Sequence, residues 1–182
     1  IDRRFNKINI SKKLIHKLSD RKSGAGCDQL ITIDNKLSND HDVFIKIYNP
    51  GGDRAEACGN GTRCIAKLLF NESNRTELKI KSDAGILLSK KIDNNNISVN
   101  LGKLSHHWQK IPLAKKINTL NIPIYIDNFL PGVAVNIGNP HVVFFGNNIN
   151  KVDLSSIGPT IENNKLFPNK TNVEIIEIVN DS

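Results

Sequence analysis

The sequence predicts a mixed α/β fold of the α+β kind, in two halves, and three observations predict it. Short runs rich in Ile, Leu and Val recur along the chain, each bounded by Gly, Asn, Asp or Pro. One longer stretch, opening at Gly59-Asn60-Gly61, carries its apolar residues at helical spacing. Periodicity lapses between Gly102 and Pro112, and strand-type runs begin again beyond it. A length of 182 residues suits one ordinary domain or two small ones.

Taken in order, Ser11 is a suitable N-cap for a short helix through about Arg21, with Leu14, Ile15 and Leu18 on one face. Arg21 to Gly26 breaks that pattern, and Gln29 to Asp34 is a β-rich run. After a polar loop, Val43, Ile45 and Ile47 alternate as in a half-buried strand. Asn49-Pro50-Gly51-Gly52-Asp53 is a turn. The helix after Cys58 carries Ile65, Leu68 and Leu69 and runs to about Asn71. Three strands are expected next, at Glu77 to Ser82, Ile86 to Ile92 and Ile97 to Leu101, joined by hairpin-type turns.

Gly102 to Pro112, which contains His106, His107 and Trp108, reads as a linker, with domains at 1–103 and 104–182. Beyond it strands are expected at Ile122 to Ile126, Val133 to Asn136, His141 to Phe145 and Asn172 to Val179. A short helix between Asp153 and Asn163 should break at Gly158-Pro159. This half has no counterpart to the helix after Cys58, so the apolar face of its strands is expected to lack cover.

The formal charge is +7, but Lys and Arg are scattered among acids and the few aromatics are not interleaved with them. That pattern fits a solvated basic surface, not a nucleic-acid partner. No apolar run reaches membrane-spanning length and no signal-peptide pattern is present, so a cytoplasmic protein without membrane association is expected. With no Met anywhere, Ile1 is not an initiator residue, and sequence upstream is expected. Three cysteines without a Cys-x-x-Cys pair argue against a disulfide framework and a structural zinc site, and no His/Cys/Asp/Glu cluster has metal-ligand spacing.

Cys58 is the sharpest chemical candidate. The first turn of a helix has unpaired N–H groups and a partial positive charge, which together suit a reactive thiolate and a bound carboxylate. The glycines of Gly59-Asn60-Gly61 allow close approach of backbone to ligand. A buried structural thiol is the competing reading for Cys58, and it is the favoured one for Cys64 and Cys27. His141, at the head of an apolar strand, is a candidate base or proton shuttle, whereas His106 and His107 should face solvent. Asn49, Asn139 and Asn172 stand at strand–turn junctions, where neutral amides can bind a zwitterion without competing for its protons.

Five segments in this order resemble the diaminopimelate epimerase family. They are Gly24-Ala25-Gly26-Cys27-Asp28-Gln29-Leu30, Tyr48-Asn49-Pro50-Gly51-Gly52, Ala57-Cys58-Gly59-Asn60-Gly61-Thr62-Arg63-Cys64, Asn136-Ile137-Gly138-Asn139-Pro140-His141 and Thr171-Asn172-Val173-Glu174. The resemblance implies two similar domains, each a β-sheet wrapped around a central helix, the second incomplete in this chain. It implies interconversion of LL- and meso-2,6-diaminopimelate without pyridoxal phosphate or any other cofactor, on the route to lysine and peptidoglycan. Two cysteines on opposite faces of the α-carbon would exchange the proton. By the same resemblance Cys58 is the first of them, Gly59 and Asn60 bind the substrate carboxylate, and Gln29, Asn49, Asn139 and Asn172 contact substrate. His141 matches the histidine associated with the first cysteine. A homodimer is among the assemblies this permits.

The opening Gly-Asn-Asp-Phe segment, the Glu-Arg-Gly-type segment and the Gly-Ser-Gly-type loop with the second cysteine have no match, and neither Cys27 nor Cys64 fits that place. The chain alone is therefore expected to be inactive. A two-cysteine racemase acting on proline or hydroxyproline, and a non-catalytic binding module, are the competing readings.

Overall fold

A computed structural model describes residues 1–180. The chain divides into two compact units, Ile1–Gly102 and a second that begins at Lys103.

In the first unit, helix α1 (Lys12–Ser19) starts where Ser11 Oγ accepts the Leu14 N–H at 3.2 Å. It ends at Asp20, whose carboxylate accepts the Lys22 and Ser23 N–H groups. Gly24 follows because a Cβ there would lie 2.0 Å from the Lys17 carbonyl oxygen. Strands β1 (Leu30–Asn35) and β2 (Val43–Tyr48) pair antiparallel, and a two-residue strand, β3 (Arg54–Ala55), pairs with the end of β2. Helix α2 (Gly59–Asn71) crosses to β4 (Glu77–Ser82), which lies parallel to β2, and β5 (Gly85–Lys91) and β6 (Ile97–Asn100) complete a meander. The sheet order is β1-β2-β4-β5-β6, with β3 on β2.

Alternation places Val43, Ile45 and Ile47 of β2 and Leu78 and Ile80 of β4 against Ala66, Leu69 and Phe70 of α2. The buried stripe of α2 is Thr62, Ala66, Leu69 and Phe70. Leu68, expected on it, is 44% exposed. Full burial of Leu69 and Phe70 contributes about 1.5–3 kcal/mol each. The N-terminal residues join β1 as a parallel bridge from Asp2 to Ile33. Arg4 fastens them to the end of α2 by a bidentate pair with Glu72 at 2.8 and 3.0 Å.

The second unit has one sheet of three strands, β7 (Val133–Asn136), β8 (Pro140–Phe145) and β9 (Asn172–Ile176), with β7-β8 antiparallel and β8-β9 parallel. Ala134, Val142 and Phe144 form its buried face, packed with Ile111, Leu113, Ile122, Ile161, Leu166 and Phe167. The expectation that this face lacks cover is thus corrected, since irregular chain supplies the aliphatic residues that a central helix would. Gly102 to Pro112 is no free linker either, because Ile111 is 1% exposed and Ser105 bridges Asn136.

Ile122 to Ile126 does not form a strand beyond a single bridge from Ile122 to Gly132. Pro123 interrupts it, removing a donor and fixing φ. Helix α3 (Leu154–Glu162) is continuous through Pro159, contrary to expectation. Ile161 anchors it in the core, and Asn163 closes it by donating from N and Nδ2 to the Pro159 carbonyl at 3.1 and 2.7 Å. Strand β9 stops at Ile176, short of the expected Val179, and Ile178 and Val179 are exposed.

Candidate functional site

Two clusters gather the residues singled out from the sequence, one in each unit. In the first unit the pairing of Leu30 with Tyr48 sets Gln29 and Asn49 side by side at one end of β1 and β2. Gln29 Nε2 donates to Asn49 Oδ1 at 3.2 Å. Asn49 is held by its backbone, whose N–H donates to the Asp53 carbonyl at 2.9 Å. The Gly52 N–H donates back to the Asn49 carbonyl at 2.8 Å, and Gly52 has φ +84°, a conformation suited to glycine.

The first turn of α2 lies over the same end of β1. A Cβ on Gly61 would stand 2.4 Å from Ile31 Cδ1 and 3.2 Å from Cys58 Sγ, so a larger residue here would have to displace the end of the Ile31 side chain. Cys58 is the N-cap residue, with extended backbone at φ −152° and ψ 101°. Its Sγ accepts the Gly61 N–H at 3.3 Å, and its carbonyl accepts the Thr62 N–H at 2.9 Å and the Thr62 hydroxyl at 2.8 Å. The sulfur thus sits at the positive end of the helix.

The Gly59 and Asn60 N–H groups come before any acceptor within the helix. The Asn60 side-chain oxygen accepts from the Arg63 guanidinium, which leaves its backbone N–H and its Nδ2 as the donors that can meet a carboxylate. Cys58 is half-buried, Cys64 lies exposed on the same helix, and the Cys27 thiol donates to Ser19 Oγ at 3.5 Å. The exposure of Cys64 corrects its reading as a core residue.

In the second unit, Gly138, at φ +108°, turns the chain between β7 and β8. His141 Nδ1 lies 3.0 Å from the Asn139 carbonyl oxygen, and Asn172 Nδ2 donates to the Pro140 carbonyl at 2.9 Å. The β8–β9 register sets Asn172 beside His141. It also brings in Glu174, a residue the sequence reading quoted in a motif without assigning it a part in the site. Its Oε1 is 3.6 Å from His141 Nε2. Burial pushes the Glu174 carboxyl above its ordinary range, opposed by His141. The signal for it was the two-residue alternation with Asn172, which puts both on one strand face.

Among the described residues no group of three or more His, Cys, Asp or Glu side chains is placed to hold a metal ion. Nor, among the described residues, is any helix long and apolar enough to cross a membrane.

The fold is that of a known class of mixed α/β proteins. It is similar to the crystal structure of the Bacillus anthracis phenazine biosynthesis protein of the PhzF family, with a TM-score of 0.56 at 16% identity over 94% of this chain and 59% of that one. The family profile described as Diaminopimelate epimerase matches residues 2–107, and the chain belongs to that family. It is 41% identical to the diaminopimelate epimerase of Pelagibacter ubique (strain HTCC1062) over 99% of this chain and 66% of that protein. With the diaminopimelate epimerase of the Wolbachia of Drosophila simulans it shares 44% identity over 84% of this chain and 58% of that protein. For that of Rhodospirillum centenum the figures are 32%, 98% and 62%. The chain thus spans about two thirds or less of the length of these relatives.

Proposed function

We propose that the chain serves a cofactor-independent epimerisation of LL- and meso-2,6-diaminopimelate, with Cys58 as the base on one face of the α-carbon. The observation that carries this is Cys58 as N-cap of α2, its sulfur facing an amide donor at the end of the sheet where Gln29 and Asn49 meet. Membership of the family and the printed names of the relatives support the substrate.

In this reading the Cys58 thiolate takes the α-proton and becomes a thiol. The electron pair left on the α-carbon is drawn toward the substrate carboxylate, which the Gly59 and Asn60 N–H groups and the helix end stabilise. A second acid then supplies a proton to the opposite face. Cys64 does not serve, being six residues along the same helix, about 9 Å of rise from Cys58. Gln29 and Asn49 supply neutral donors and acceptors to the substrate, and the family resemblance gives Asn139, Asn172 and His141 parts on the second unit. The same proposal puts the protein in the cytoplasm, on the lysine and peptidoglycan route.

The reading includes no nucleic-acid partner, and the pairing of Lys12, Arg54, Arg75 and Lys90 with Asp53, Asp83, Asp42 and Glu77 fits a surface of mixed charge.

The test is deuterium incorporation at the α-carbon of diaminopimelate in D2O, with product configuration followed. The 182-residue chain should invert none. A chimera completed with the remaining segment of the Pelagibacter ubique relative should incorporate deuterium and invert, and Cys58→Ala should abolish both. Normal turnover in the Cys58→Ala chimera removes Cys58 from its role. Inversion by the chain alone overturns the need for a second group.

A further inference from the structure

We propose that Glu174 is a positioning residue for His141, a half-buried counter-ion that strand register holds against the imidazole Nε2. This rests on the part assigned to His141 above.

The argument starts from the ring's other nitrogen. Nδ1 lies 3.0 Å from the Asn139 carbonyl oxygen, and a carbonyl can only accept. Nδ1 therefore holds its hydrogen in both the neutral and the charged ring. Nε2 is left as the one ring nitrogen that can gain or lose a proton, and Glu174 Oε1 faces it at 3.6 Å. That separation is longer than a hydrogen bond and within ion-pair reach, so the coupling is electrostatic.

The backbone fixes the pair. The parallel register sets Val143 opposite Glu174 and His141 opposite Asn172, so Glu174 is the diagonal neighbour of His141 on one face of the sheet. Val133 and Val135 of β7, Val143 and Phe145 of β8, and Asn172 and Ile176 of β9 share that face, and none of them carries charge. Glu162, the carboxylate of helix α3, is matched by Lys170 at 3.3 Å.

Glu174 Oε2 is buried and has no hydrogen-bond partner among the described residues. A carboxyl so placed has lost water without gaining donors, which makes His141 its main source of stabilisation when ionised.

The experiment reads the pair in the 182-residue chain without substrate. The Glu174 side-chain carboxyl is followed by carbon-13 NMR against pH, in the wild type and in His141→Gln. Removing the imidazolium should raise the Glu174 midpoint by roughly 0.3–0.7 pH unit, the span expected of a partly exposed pair. A midpoint that stays put or falls overturns the proposal. Should His141→Gln fail to fold, nitrogen-15 NMR of the wild-type ring decides instead, because the neutral ring must carry its hydrogen on Nδ1 and finding it on Nε2 overturns the proposal. No turnover enters this readout, so its failure leaves the epimerase reading intact. Failure of the Cys58→Ala test leaves the pair intact.

Discussion

The two units solve the same packing problem with different materials. In the first, a sheet covers a 13-residue helix whose stripe from Thr62 to Phe70 is buried. In the second, a three-stranded sheet is covered by α3 and by irregular chain carrying Ile111, Leu113, Ile122, Leu166 and Phe167. The functional candidates follow the difference. Cys58 is fixed by a helix end, whereas His141 and Glu174 are fixed by strand register. A helix end offers N–H donors and positive potential for an anion. Strand register offers a defined neighbour across the ladder and no net field.

The sharpest way to break this comparison is to delete the large aromatic of each core. Phe70→Ala and Phe144→Ala should each cost about 3–5 kcal/mol. The value for Phe144 should fall nearer the lower end, because loops collapse into a cavity more readily than a helix held against the sheet. Denaturant unfolding followed by Trp108, the single tryptophan, reports the second unit, and hydrogen exchange of the α2 amides reports the first. Equal losses would erase the distinction.

The two helical glycines give the next largest contrast. A Cβ on Gly61 meets Ile31 Cδ1 at 2.4 Å, whereas one on Gly158, its chain neighbours apart, meets nothing nearer than Leu154 Cδ1 at 3.7 Å. Gly61→Ala should destabilise by about 1–2 kcal/mol, overpacking outweighing the gain in helix propensity. Gly158→Ala should change stability by less than about 0.5 kcal/mol, because the gain in helix propensity is offset by its Cβ meeting the ring of Pro159. Thermal unfolding measures both, and a stabilising Gly61→Ala would mean that the start of α2 is not tightly seated.

Two carboxylates of opposite behaviour supply a pH test. Burial raises the Asp42 carboxyl, but the Lys79 N–H and Arg75, each at 2.8 Å, outweigh it and hold it below its usual range. A depressed folded-state value stabilises above the unfolded value near 3.9 and is lost as pH falls through the folded one. Asp42→Asn should therefore cost about 1 kcal/mol at pH 7 and nothing once pH falls below the folded value. Glu174 has the opposite sign, since its raised value favours folding only below the unfolded value near 4.3 and that contribution is lost as pH rises through the folded one. Glu174→Gln should give a smaller gain at pH 7, absent below about pH 4. Stability measured by denaturant across pH 3–8 resolves both signs.

Local signals carried much of this fold into the sequence. Ser11 as a cap, the alternation of Val43, Ile45 and Ile47, and the start of α2 at Gly59 depend on neighbours a few residues away. The misreadings came from tertiary cover and from proline. Pro123 ends a run that looks like strand, while Pro159 is carried inside a helix that the core anchors through Ile161. For the candidate site, the Cys58 cap was legible because glycines mark it. The pairings of Gln29 with Asn49 and of His141 with Glu174 were not, because each depends on register between segments far apart in the chain.

The most direct test of Cys58 as the reactive base is competitive alkylation of the three cysteines with iodoacetamide near pH 7, read by peptide mass spectrometry with and without diaminopimelate. The account predicts that Cys58, though half-buried, reacts faster than exposed Cys64 and than Cys27, and that diaminopimelate protects Cys58 alone. Labelling that simply follows exposure, with Cys64 first and no protection by diaminopimelate, would contradict it.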